Sequence, residues 1–143
     1  MWISTKGRNA VKVMIDLGMY NTGEPVKVKD IARRQDISDK YLEQIIAMLN
    51  KAGLVKSIRG ARGGYVLNDP PDKITVGMIL EAAEGDMSVV DNLGEVEGDN
   101  LTDIVCDRFY SRLDESVREV LDNNTLADLV EEQQALLTDQ YVI

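Results

Sequence analysis

The chain has 143 residues, 44% apolar and 29% charged, which allows one good core or a small domain with an extended dimerisation element. It contains no histidine and one cysteine, Cys106, which removes the usual general base at neutral pH and any internal disulfide, so an enzyme is not expected. The net charge of −9 is unevenly divided: residues 1–67 hold twelve Lys and Arg against six Asp and Glu, and residues 68–143 hold four against nineteen.

In chain order, Ala10, Val13, Met14 and Leu17 share one face of a helix predicted from about Lys6 to Tyr20, which the Thr22-Gly23-Glu24-Pro25 stretch ends. A short helix follows from Val28 to Gln35, with Ile31 and Ala32 turned inward. Ser38 is a natural N-cap for a third helix from Asp39 to about Ala52, whose inner stripe is Leu42, Ile45, Ile46 and Leu49. Two short helices joined by a tight connection describe a helix-turn-helix. The period then changes: Leu54 to Arg59 reads as a strand, Gly60 to Gly64 as a glycine-rich turn, and Tyr65 to Leu67 as the returning strand. A hairpin in that place is a wing, and its tip presents Arg59 and Arg62.

Pro70 and Pro71 make a stiff bridge from Asn68 to Lys73, and Thr75 caps a helix through Ala83 that Gly85 ends. Residues 86–100 are acidic and contain glycine, with few core candidates beyond Val89, Val90 and Leu93, and are expected to form a loop. A long helix from Leu101 to Asp122 carries Leu101, Ile104, Val105, Phe109, Leu113, Val117, Val120 and Leu121 on one side. Thr125-Leu126-Ala127-Asp128 resembles a capping box that opens a last helix to about Leu137. The predicted fold is therefore mainly α with a small β-hairpin: a winged helix-turn-helix over residues 1–68, and a dimerisation and effector region over residues 69–143.

The third helix offers Asp39, Lys40, Tyr41, Glu43 and Gln44 near its N-terminus, the end that enters the major groove in a helix-turn-helix. Glutamine pairs with adenine, glutamate accepts from cytosine, and lysine reaches guanine or phosphate. Any exposed helix face is polar, so the helix gains meaning only beside the wing and the charge split. That split suits a phosphate-binding module joined to one that binds none, though charge alone does not separate this from an ordinary acidic surface. The Gly60–Gly64 run leads to a strand rather than a helix, so it is not a phosphate loop. No apolar run approaches the roughly 20 residues of a membrane span and no signal-peptide pattern opens the chain, which suits a cytoplasmic location.

Four blocks of the first half, Ile3 to Arg8, Ser38 to Gln44, Gly53 to Val55 and Ser57 to Leu67, together resemble the Rrf-two family of bacterial winged-helix regulators. The resemblance continues more weakly through Val76 to Glu84 and Thr125 to Leu129. It implies a homodimer built on the long helix and bound to a palindromic operator in double-stranded DNA. It assigns Ser38, Lys40, Tyr41 and Glu43 to the recognition helix, Arg59 and Arg62 to the wing, and Thr5, Lys6 and Arg8 to the sugar-phosphate backbone. Many members hold an iron–sulfur cluster through cysteines ahead of and within the start of the long helix. Residues 86–105 here contain none, and one thiolate cannot hold a cluster, so no cofactor is expected and Cys106 is read as a packed small residue or an isolated thiol, with redox sensing as the lesser alternative. Among cluster-free members, the cysteine-metabolism repressors of Gram-positive bacteria look similar around Tyr41 to Gln44 and Val55 to Ala61. That group implies a repressor of sulfur genes. It also implies a second partner, O-acetylserine sulfhydrylase, which would capture the tail Tyr141-Val142-Ile143; the alternative function is then a regulator of that enzyme with DNA binding secondary, while a tail packed on the dimer is the plainer reading of those residues.

Overall fold

A computed structural model describes residues 2–141. Helix α1 spans Thr5–Met19, α2 Val28–Gln35 and α3 Asp39–Lys51; strands β1 (Val55–Ile58) and β2 (Gly64–Leu67) form an antiparallel hairpin; α4 spans Val76–Glu84, α5 Leu101–Asn123 and α6 Leu126–Tyr141. This is the expected mainly helical chain with a small wing.

Local chemistry explains the boundaries. Ser4 caps α1, its hydroxyl oxygen accepting from the Gly7 N–H at 3.1 Å. At the end of α2, Asp36 takes the left-handed conformation at φ 53° and the Ile37 N–H donates to Ala32 O at 3.0 Å, which reverses the chain sharply. Two residues later Ser38 caps α3 by accepting from the Tyr41 N–H at 3.2 Å. The turn of the helix-turn-helix is thus a left-handed cap followed at once by an N-cap. Thr125 and Asp128 form the reciprocal capping box at the start of α6, with bonds of 2.9 and 3.2 Å.

The wing is anchored by a contact the sequence did not announce. Val26, ahead of α2, exchanges two backbone hydrogen bonds of 2.9 Å with Tyr65. A Cβ at position 64 would lie only 2.7 Å from the Val26 carbonyl carbon, so a residue without a side chain is needed where the strand passes.

One buried cluster joins Ala10, Val13, Met14 and Leu17 of α1, Ile31 of α2, and Leu42, Ile45, Ile46 and Leu49 of α3, the stripes read from helical spacing. The same cluster includes Ile74, Ile79, Leu126 and Val130, so residues from both halves of the chain share it. Thr75 and Thr125 pair as a β-bridge: the Val76 N–H donates to Asn124 O and the Leu126 N–H to Ile74 O.

Three details differ from the sequence reading. The proline bridge contains a 3-10 turn, Pro71–Lys73, because proline pre-sets the φ angle of a first helical position. Residues 86–100 hold a core residue that the acidic context hid: Met87 is 2% exposed and packs with Leu80 and Leu121 in a second cluster. The loop is also tied to α5, with the Val89 N–H donating to Asp114 Oδ1 at 3.1 Å and the Gly94 N–H to Asp107 Oδ1 at 2.9 Å. Finally, α6 continues past Leu137 to Tyr141.

Candidate nucleic-acid interface

On α3 the inner stripe fixes what remains outside. Asp39, Lys40, Glu43 and Gln44 are exposed, as is the capping Ser38, whereas Tyr41 is half-buried and packs on the core. At the other end of α3 the Leu54 N–H bonds Leu49 O, and the chain passes directly into β1. Helix α3 therefore delivers the chain straight into the wing. Arg59 and Arg62 stand exposed at the wing tip, and Thr5, Lys6 and Arg8 are exposed on the first turn of α1.

These cations are electrically free. Among the described residues the ion pairs are Arg33–Asp30, Arg34–Asp16 and Arg118–Glu81, so Lys6, Arg8, Lys40, Arg59 and Arg62 have no carboxylate partner there. An unpaired surface cation gives up only water and counter-ions when it meets a phosphate, which makes it a good contact. Sequence reasoning did not single out five further exposed lysines of the first half, Lys12, Lys27, Lys29, Lys51 and Lys56. For Lys56 a signal existed, because it alternates with the buried Val55 along β1.

A buried polar brace, also missed, sets the helix-turn-helix. Asp16 is 1% exposed on α1 and accepts from Arg34 Nε at 2.9 Å, Arg34 Nη2 at 2.8 Å and Gln35 Nε2 at 2.9 Å. The Arg34 guanidinium lies 3.9 Å from the centre of the Tyr20 ring. Its hydrogen bond to Asp16 raises the Arg34 pKa, overcoming the opposing effect of burial. The brace grips the last turn of α2, just before the cap that aims α3.

On α5 the apolar stripe divides. Leu121 is buried and Val117 half-buried against the second cluster, whereas Leu101 (76%), Val105 (64%), Phe109 (52%), Leu113 (42%) and Val120 (63%) are exposed. Arg112 lies over the Phe109 ring, and Arg108 flanks the same groove as Val105. Cys106 is exposed, not packed in the core, because its turn of α5 faces the loop across an open groove of about 390 Å³. Of the tail, Val142 and Ile143 lie outside the described residues, and Tyr141 ends α6.

The sequence model of the Rrf2 family, described as an iron-dependent transcriptional regulator, matches residues 3–132. The chain is 44% identical over 129 residues to the HTH-type transcriptional regulator CymR of Bacillus subtilis, covering 90% of this chain and 89% of that one. It is 36% identical over 137 residues to the HTH-type transcriptional regulator IscR of Erwinia tasmaniensis, covering 96% and 83%. The solved structure of B. subtilis CymR superposes with a TM-score of 0.81 at 42% identity, covering 92% of this chain and 98% of that chain.

The sequence has one cysteine and no histidine, and no group of three or more Cys, Asp or Glu among the described residues is placed to hold a metal ion. The carboxylates around Cys106 line an open groove and do not converge. This donor set does not fit a thiolate-bound cluster, whose irons each need several sulfur ligands. Matched along nearly its whole length in sequence and in shape, the chain belongs to the Rrf2 family of transcriptional regulators.

Proposed function

We propose that the protein is a sequence-specific DNA-binding repressor that acts as a homodimer on genes of cysteine metabolism. One observation carries the DNA contact: the exposed cations of the α3 tip and the wing are unpaired, on the half of the chain that holds twelve of its sixteen Lys and Arg. Residues 1–68 grip the duplex, with the N-terminal turn of α3 in the major groove, Lys40, Glu43 and Gln44 toward base edges, and Arg59 and Arg62 on the backbone or in the minor groove. Tyr41, half-buried, sets the depth of that turn, and Ser38 holds its free amides toward phosphate. Residues 69–143 turn their acidic surface away and supply the dimer.

The exposed apolar side of α5 supports the homodimer. Five large side chains along 23 residues of helix form a patch that a monomer in water rarely keeps uncovered. A two-fold pairing of the same helix covers both copies at once, and its symmetry suits a palindromic operator. The choice of genes is supported by the CymR likeness, since that relative's structure is described as the global cysteine regulator of B. subtilis.

The test is selection of bound fragments from random DNA, followed by affinity measurements across salt concentrations. Arg59→Ala combined with Arg62→Ala removes four cations from the dimer, and is expected to lower operator affinity at least roughly 10- to 100-fold and to reduce the slope of log affinity against log salt by up to about 4. A double variant that binds as tightly as the parent removes the wing from the interface.

A further inference from the structure

We propose that Glu84 is a positioning residue for DNA binding, its carboxylate fixing the first turn of α1 so that Thr5, Lys6 and Arg8 meet the phosphate backbone together. The proposal rests on the DNA-binding reading above. Glu84 Oε1 accepts from the Ser4 N–H at 2.9 Å and from the Ser4 hydroxyl at 2.6 Å, across 80 positions of sequence. The same hydroxyl oxygen accepts from the Gly7 N–H at 3.1 Å. One oxygen of α4 thus closes a chain of hydrogen bonds through the cap of α1, and the short charge-assisted bond makes it stiff.

Gly7 is part of the device. It is buried on the α4 side of α1, and a Cβ there would collide with the Glu84 carboxylate. The two helices approach closely enough for the carboxylate to lie against the backbone of the turn that bears Lys6 and Arg8. Those two side chains, with Thr5, are exposed and make no ion pair, so the backbone of the first turn, held by this clasp at its start and by the α1 core beyond it, sets where their stems begin. Glu84 is the last residue of α4, and Gly85 separates it from the acidic loop at 86–100.

Electrostatics and positioning make opposite predictions. A carboxylate near a phosphate-facing turn repels the duplex, so deleting it as a mere charge tightens binding. Deleting it as a brace weakens binding, because three contacts lose their common alignment.

The experiment compares the full-length parent with Glu84→Ala, Glu84→Gln and Gly7→Ala on a selected operator, with thermal melting as a check that each variant is folded. Glu84→Ala is expected to lose roughly 10-fold in affinity, with a shallower salt slope. Glu84→Gln keeps the accepting oxygen and is expected to bind within about twofold of the parent. Gly7→Ala, which favours the helix in itself, is expected to lose affinity by pushing the carboxylate off Ser4. In a Lys6→Ala, Arg8→Ala background, Glu84→Ala should cost little more, since the contacts it aligns are already gone. Unchanged or tighter binding by Glu84→Ala, or a loss undiminished in that background, overturns the proposal. If the parent itself shows no salt-dependent operator binding, the DNA-binding reading fails in its own right. That outcome is distinct, because the effect of Glu84→Ala is scored against a parent shown to bind.

Discussion

Helices α3 and α5 carry the same kind of pattern and meet different fates. The apolar stripe of α3 is closed within the chain, with Leu42, Ile45 and Leu49 each at 0% exposure. That of α5 faces water along five of its large side chains, although its spacing is as regular and its helix is longer. Helical periodicity therefore reports that a face is to be covered and says nothing about what covers it. In α3 the cover is α1, α2, α4 and the start of the wing; in α5, on our proposal, it is the same helix of a second copy.

Substitutions can break or sharpen this contrast. The largest effect is expected from Ile45→Ala, which opens a cavity inside one chain and should cost about 2–5 kcal/mol in denaturant unfolding at every protein concentration. Next comes Phe109→Ala, which should weaken self-association by about 2 kcal/mol, some 30-fold in dissociation constant, without changing the helical signal of the separated chains. Sedimentation equilibrium measures it, and an unchanged association constant would take Phe109 out of the interface. The smallest effects are expected at the caps, where Ser38→Ala and Asn100→Ala each remove a side-chain acceptor worth about 1 kcal/mol. The first should lower operator affinity together with the melting temperature. The second should make melting more dependent on protein concentration, because Asn100 caps the helix that pairs.

Features governed by local spacing were legible in the sequence. The second helix lies on its predicted residues, Ser38 is the predicted cap, and every residue assigned to the inner stripe of α3 is buried. Features that depend on contacts distant in sequence were not. Asp16 reads as one more surface acid until Arg34 and Gln35 are seen around it, and nothing in a sequence marks Glu84 as the partner of Ser4. Met87 hides for a related reason: polar neighbours suggest a solvated loop, and only the packing of Leu80 and Leu121 creates a hole for it. Of the candidate interface, the exposed cations of the wing could be named because a hairpin tip has few places to put them. The half-burial of Tyr41 could not, since the residue sits at the edge of the stripe, where a small rotation of the helix decides.

The buried cluster common to both halves limits how this regulator can be re-engineered. A chimera cut near residue 68 to exchange operator preference would strip Ile74, Ile79, Leu126 and Val130 from the cluster and leave α1 with a raw apolar flank. Such a graft is expected to precipitate rather than acquire a new target. Transplanting only the outward residues of α3 and the wing leaves that shared interior whole, and is the exchange the architecture tolerates.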